Sequence, residues 1–350
     1  MSSGLEASPA EPAPPGRKTG RRRRPRVAVV GAGINGLATA WALAGAGAEV
    51  TLYEQFDIDH DRGSSHGRTR IVRLSYPDVE WVRFAEEARA GWAELEDATG
   101  RTLLELHGLV EIASAPELTS AEALAAQRVE HRVLSPADAR ELGFVVPEGW
   151  YALHEPGGGV VRADLARAAF LDAGIARGVR FESGHRVESP DELDADAVVL
   201  CAGAWITKLV PDAPVHVTRE TVVFFRKQGP PALSLVELNE RSGGHAFYSL
   251  HDPVYGLKAG AHHAGAEADP DVPGEPDSEI VERVAAWVAE RMPDVDPAPV
   301  EAQTCLYTTT GDEGFVLERR GRIVIGSACS GHGFKFAPAV GKRLASLALG

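Results

Sequence analysis

Cysteine is scarce in this chain. Three occur in 350 residues, Cys201, Cys305 and Cys329, too few and too scattered for a disulfide scaffold. No CxxC pair or cysteine/histidine cluster has the spacing of a zinc site. Positive charge is also short. Lys and Arg number 36 against 50 Asp and Glu, a formal net charge of −14. Nucleic-acid binding needs a net basic face, so nucleic acid is excluded as the main partner. No internal repeat is visible. An unbroken apolar span is missing too. Val27 to Ala48 carries no charge and follows the arginines at 21–24 and 26, but five glycines and Asn35 interrupt it. That spacing suits a strand, a turn and a helix better than a membrane span or an export signal. These absences leave a cytoplasmic enzyme or binding protein. Hydrophobic residues at 44% and charged residues at 25% are ordinary for a soluble globular chain. The length suggests about two domains.

Residues 1–25 are rich in Ala, Pro, Ser and Arg with no apolar period, and read as a disordered tail. RVAVV from Arg26 is a short buried strand, the segment from Ile34 a helix ending at Gly45 or Gly47, and AEVTLYE a second strand. Trp81, Phe84, Ala88, Trp92 and Leu95 form a helical stripe that Thr99-Gly100 stops. Residues 103–114 alternate like a strand. Ser135-Pro136 opens a short helix as N-cap and N1. HEPGGGVV is a turn into a strand, and Arg162 to Arg177 a helix. Residues 195–205 hold a buried strand breaking at Gly203. Residues 215–260 read as strands, 277–292 as an amphipathic helix, and the end of the chain as a strand, a glycine loop and a last helix. This order predicts an α/β protein: a discontinuous Rossmann-type dinucleotide-binding domain (26–100, 155–210 and 305–350) with an inserted antiparallel-sheet substrate domain (101–154 and 211–304).

Gly31-Ala32-Gly33-Ile34-Asn35-Gly36 is a GxGxxG fingerprint. Gly31 allows the tight turn, Gly33 lets backbone approach a pyrophosphate, and Gly36 lets helix and strand pack closely. The helix N-terminus offers free N–H groups to the phosphates. Glu54, at the end of the second strand, can accept from ribose hydroxyls and would repel a 2′-phosphate. The fingerprint alone serves FAD and NAD equally.

Further motifs follow in order: Ser65-His66-Gly67-Arg68-Thr69-Arg70-Ile71-Val72-Arg73, then AVVLCAGAW, Gly256-Leu257-Lys258, Thr304-Cys305-Leu306-Tyr307-Thr308, and Ser330-Gly331-His332-Gly333-Phe334-Lys335-Phe336. With these, the chain from Arg26 onward resembles the monomeric sarcosine oxidase and N-methyltryptophan oxidase family of FAD-dependent amine oxidases. The resemblance implies FAD, joined covalently as an 8α-S-cysteinyl thioether through Cys305. It implies that Lys258 sits over the flavin to activate O₂, where a fixed positive charge stabilises developing superoxide. Arg73 and Lys335 would grip a substrate carboxylate and orient the amine. Arg70 and His66 would lie beside the isoalloxazine ring, Thr69 would bond flavin or phosphate, and Val187, Gly331 and Gly333 would approach the cofactor. Tyr248, Tyr307 and His262 would line the substrate cavity, with His262, Arg70 and Lys258 as catalytic residues. His262 and His263 are adjacent. Neighbours on a strand point to opposite faces, so no shared metal is expected.

The implied activity is oxidation of sarcosine or another N-methyl amino acid by a monomeric enzyme, with O₂ as acceptor and formaldehyde and H₂O₂ as products. Three rivals stand beside it: an oxidase of a cyclic secondary amino acid such as pipecolate or proline, an NAD-dependent dehydrogenase, and a flavin-binding protein without catalysis. Some positions depart from the family pattern. Arg68 stands where relatives often carry Asp, and Cys329 where they tend to carry an aromatic. The stretch from Val187 to Ala197 is short and lacks an expected strand hairpin. The chain stops at Gly350, where relatives continue, which raises a question of pocket closure.

Overall fold

A computed structural model of the chain describes residues 23–115, 119–239 and 244–350. The expected tail lies outside the described residues through position 22. The fold opens with β1 (Arg26–Val30), α1 (Ile34–Gly45), β2 (Glu49–Tyr53), β3 (Thr69–Val72) and α2 (Val79–Thr99). The middle adds β4 (Leu104–Glu105), β5 (Leu109–Ala113), α3 (Ala121–Ala126), β6 (Arg132–Leu134), α4 (Pro136–Glu141), β7 (Tyr151–Glu155), β8 (Gly159–Arg162), α5 (Ala163–Ala176), β9 (Arg180–Glu182), β10 (Ala197–Leu200) and α6 (Ile206–Leu209). Next come β11 (Val215–Arg226), β12 (Ser234–Asn239), β13 (Gly244–Asp252), β14 (Gly256–Ala261), β15 (Ala266–Glu267) and α7 (Ser278–Arg291). The chain closes with β16 (Pro299–Thr310), β17 (Val316–Arg320), β18 (Ile323–Ser327) and α8 (Ala337–Leu349).

Local chemistry explains the helix ends. Asp78 caps α2 by accepting from Glu80 N–H, and Gly100 ends it in the left-handed region at φ 67°. Ser135 and Asp138 close a capping box on α4, with Pro136 at its start. Asp277 caps α7.

Six strands form one sheet in the order β17-β18-β10-β1-β2-β9. All its pairs are parallel except the β17 edge. The chain leaves β1 toward β2 on one side, while β10 lies on the other. This is a strand-order reversal, and ligands bind outside the carboxyl ends of strands at such points. α1, α2, α5 and α8 pack on one face through Leu37, Trp92, Phe170 and Leu344, all buried. The α1–α8 crossing is close: a Cβ on Gly341 would stand 2.6 Å from the Ala38 backbone.

A nine-stranded sheet forms the second layer, mostly antiparallel, with the one parallel pair β5–β12. β11 and β16 run antiparallel over their whole length. The expected boundary at 304/305 falls inside β16, so Cys305 belongs to this sheet and pairs with Glu220. The boundary at 154/155 likewise falls inside β7. The alternating segment 103–114 is two strands in two sheets, broken at Gly108 with φ 103°. β5 is buried on both faces, with Glu111 turned inward, so its alternation does not mark a wet side. As expected, no hairpin forms between Val187 and Ala197; a single 3₁₀ turn, Pro190–Glu192, takes its place.

Candidate active site

The fingerprint folds as its glycines require. Gly31 has φ 100°, and a Cβ there would strike the Cys201 carbonyl. A Cβ on Gly36 would overlap the Gly31 carbonyl, so Gly36 serves packing and does not line the cleft. Gly31 and Gly33 do line it. Glu54 is buried at the end of β2, and its carboxylate accepts from Ala32 N–H (2.8 Å) and Phe56 N–H (3.0 Å). Each oxygen keeps a lone pair for a ribose hydroxyl. At the start of α1, Ile34 N–H donates to Ser65 Oγ at 3.0 Å, which ties the 64–70 loop to the fingerprint.

That loop is organised by Arg70. Its guanidinium donates to the carbonyls of Thr69, Ser64 and His66 at 2.9, 2.8 and 2.7 Å. Both His66 ring nitrogens lie 3.0 Å from carbonyls, those of Gly63 and Thr304. A neutral ring can donate to just one of them. Burial, then the charges of Arg70 and Lys258, lower His66 to about 4. Thr69 is buried, donates to the His251 carbonyl at 2.9 Å, and does not line the cleft. Arg68 forms a fork with buried Asp252 at 2.8 and 3.2 Å.

Lys258, Cys305 and Val187 all line the same cleft. Lys258 lies on β14, between β11 and β13, so it is no edge lysine. Its Nζ is 3.5 Å from the Thr69 carbonyl. Burial, with Arg70 beside it, lowers Lys258 to about 7. Burial pushes the Cys305 thiol up to about 11, while Arg70 and Lys258 pull it down. Its surroundings therefore keep it a thiol at neutral pH.

At the far end Arg73 and Lys335 come together around Tyr76. Lys335 Nζ donates to Tyr76 Oη at 3.0 Å and to the His332 carbonyl at 2.9 Å. The Arg73 guanidinium lies 4.2 Å from the Tyr76 ring centre and 3.6 Å from a Glu111 oxygen. Trp92 fixes the turn by donating to the Lys335 carbonyl at 2.7 Å. Burial, then the Arg73 charge, holds Lys335 well below the usual lysine value. Tyr248, Tyr307 and His262 form the adjoining wall, with His262–Tyr307 centroids 5.6 Å apart. Burial keeps all three neutral near pH 7, raising both tyrosines and lowering His262. A Cβ on Gly331 would collide with His262 and Tyr307, and one on Gly333 with the Ala328 carbonyl.

One cleft thus joins a dinucleotide loop, a buried lysine and cysteine, and a pair of buried cations. Residues 26–347 match the family of FAD dependent oxidoreductases. The chain belongs to that family. Among the curated relatives of this FAD-dependent oxidoreductase, human peroxisomal sarcosine oxidase is 33% identical, covering 92% of this chain and 91% of its own. Monomeric sarcosine oxidase from a Bacillus species is 31% identical and covers 92% of each chain. Among solved structures, NikD, an unusual amino acid oxidase essential for nikkomycin biosynthesis, superposes with a TM-score of 0.79 at 25% identity, over 92% and 93% of the two chains. The resemblance to sarcosine oxidases read in the motifs is borne out, and FAD displaces the NAD reading.

The residues present fit FAD. The fingerprint turn has room for no side chain at Gly31, a buried carboxylate closes the end of β2, and Gly331 and Gly333 leave open backbone along the cleft. Motif reading missed Tyr76, which stands between the two cations, and gave His332 no role. His332 Nδ1 lies 3.1 Å from Tyr76 Oη. No motif singled out Tyr76, because its place between the two cations arises only in the fold. Among the described residues no helix is long and apolar enough to cross a membrane.

Proposed function

We propose that the protein is an oxidase of small secondary amino acids, with sarcosine or another N-methyl amino acid as substrate. The reaction converts substrate, O₂ and water to primary amine, formaldehyde and H₂O₂. The observation that carries this reading is the buried pair Arg73 and Lys335 in the cleft that holds the dinucleotide loop. Two buried cations suit a carboxylate. The names of the curated relatives support the same substrate class. FAD bound there would supply the two-electron oxidation of the C–H beside the amine, with O₂ as final acceptor. Gly31, Gly33, Glu54, His66, Val187, Gly331 and Gly333 would hold it, with Cys305 as the covalent anchor.

The chain's own groups do the rest. An arriving carboxylate gives Lys335 the counter-charge that burial denies it, so binding favours the protonated Nζ. Tyr248, Tyr307 and His262 stay neutral and exclude water. Arg73 and Lys335 disfavour a further positive charge nearby, so the amine binds in its neutral, reactive form. Lys258 presents its ammonium where charge develops on oxygen. Arg70 orders the loop that carries His66. The proposed enzyme acts as a cytoplasmic monomer.

The test is turnover of the purified full chain with sarcosine, other N-methyl amino acids, proline and pipecolate. Equal amounts of peroxide and formaldehyde from an N-methyl substrate are expected. Peroxide without formaldehyde, and from a cyclic amino acid alone, would move the assignment to a ring-imine oxidase. Bound flavin with no peroxide from any of them would leave a binding protein.

A further inference from the structure

His262 and His263 do not behave as neighbours on a strand. β14 ends at Ala261, and His263 turns with φ 53°. The side-chain alternation is lost, and the two rings stand with centroids 4.1 Å apart at 61°. Glu313 faces them from the turn after β16, itself at φ 56°. Its carboxylate lies 3.8 Å from His263 Nε2. One ligand atom from each of His262, His263 and Glu313 falls within 4.8 Å of the others. His263 Nε2 is buried and makes no hydrogen bond.

Both turns are held from behind. Glu220 accepts from Ala264 N–H and Gly265 N–H, each at 3.0 Å. Asp312 accepts from Gly314 N–H at 3.0 Å and Thr310 Oγ1 at 2.7 Å. His332 Nε2 meets the Glu313 carbonyl at 3.0 Å. The three donors therefore rest on fixed backbone, with only side-chain rotations free.

We propose that His262, His263 and Glu313 form a binding site for a divalent transition metal of the zinc class at the wall of the cleft, and that its occupancy reversibly shuts the enzyme. Two imidazoles and one carboxylate are a borderline donor set that zinc accepts, with water in the fourth position. Tetrahedral zinc with bonds of about 2.0–2.1 Å wants its ligands roughly 3.4 Å apart. Small rotations of the Glu313 carboxylate and the two rings close the difference. Arg73 and Lys335 line the same cleft as His262 and oppose a dication. Glu313, half-exposed, supplies the compensating charge. Once bound, the ion draws His262 out of the wall and places fixed positive charge beside the amine.

Cobalt(II) reports the site without any turnover. The untagged, flavin-loaded full chain, stripped with EDTA, is titrated with Co²⁺. A visible d–d band saturating at one ion per chain is expected, displaced by Zn²⁺. His263→Ala and Glu313→Gln should each weaken it at least tenfold, with flavin content unchanged. Glu313→Gln keeps the turn's shape and serves if the histidine variant fails to fold. Zn²⁺ should suppress peroxide production in the wild type, EDTA should restore it, and both variants should be spared. A band that both variants retain, no saturable binding, or equal Zn²⁺ inhibition of wild type and variants would overturn the proposal. If no substrate gives peroxide, the oxidase reading fails while the cobalt titration still decides the metal site.

Discussion

Lys258 is a buried side chain whose charge changes within the working pH range. Burial lowers it to about 7, so its ammonium is lost as pH rises through that value. If the charge serves oxygen, reoxidation of the reduced flavoprotein should slow as pH climbs from 6 to 9. Lys258→Met should be slower by roughly 10²-fold at low pH and lose that dependence. Stopped-flow mixing of reduced protein with O₂ measures both; an unchanged pH profile in the variant would refute the role. Lys335 obeys the same rule in the other half of the site. Burial and the Arg73 charge weaken its hold on a proton, so a simple carboxylate inhibitor without an amine should bind more weakly as pH rises. In Lys335→Met that slope should vanish, with affinity lost at low pH. Cys305 is tested by acid precipitation. The yellow colour should stay in the pellet for wild type and leave with the supernatant for Cys305→Ala; colour in both supernatants would refute the thioether. That Cys305, Lys258, Arg73 and Lys335 share one cleft was legible because each sits in a short ordered motif. Tyr76 was not, because its place follows from where Arg73 and Lys335 converge, and that convergence is long-range.

At the scale of elements, the fingerprint turn is a steric device. Gly36→Ala would drive a methyl group into the Gly31 carbonyl, costing about 1–3 kcal/mol or more. Gly47 also has positive φ, at 89°, but no atom lies within 4 Å of its missing Cβ. Gly47→Ala should therefore cost about 1 kcal/mol from backbone strain alone and keep its flavin, while Gly36→Ala should lose it. Flavin content after purification and denaturant melts check the contrast. The longer helices and their ends were readable, because caps such as Ser135-Pro136 and stops such as Thr99-Gly100 act locally, whereas the short α3 and α6 were not. Strands shared between sheets were not. Residues 103–114 looked like one strand because Leu104, Leu106, Val110 and Ile112 alternate with more polar neighbours, yet Gly108 turns the chain into a second sheet. The His262–His263 pair misled for the same reason. Alternation holds along a strand, and β14 ends one residue earlier.

At the scale of the whole molecule, the cleft lies between layers that the sequence interleaves. The parallel sheet supplies the fingerprint loop and Glu54; the nine-stranded sheet supplies Lys258, Tyr248, Cys305 and Tyr307; the turn before α8 supplies Lys335. The α/β order was evident from alternating elements at both ends of the chain. The division at 304/305 was harder to read, because β16 pairs with β11 across a long loop and nothing local marks where one layer gives way to the other. We propose that these layers meet to oxidise a carboxylate-bearing secondary amine. Anaerobic addition of sarcosine to the purified yellow protein tests it most directly. The flavin's visible absorbance should bleach, and admitting air should restore it with one H₂O₂ and one formaldehyde per chain. An absorbance that stays unchanged with sarcosine, other N-methyl amino acids and cyclic secondary amino acids alike would contradict the claim.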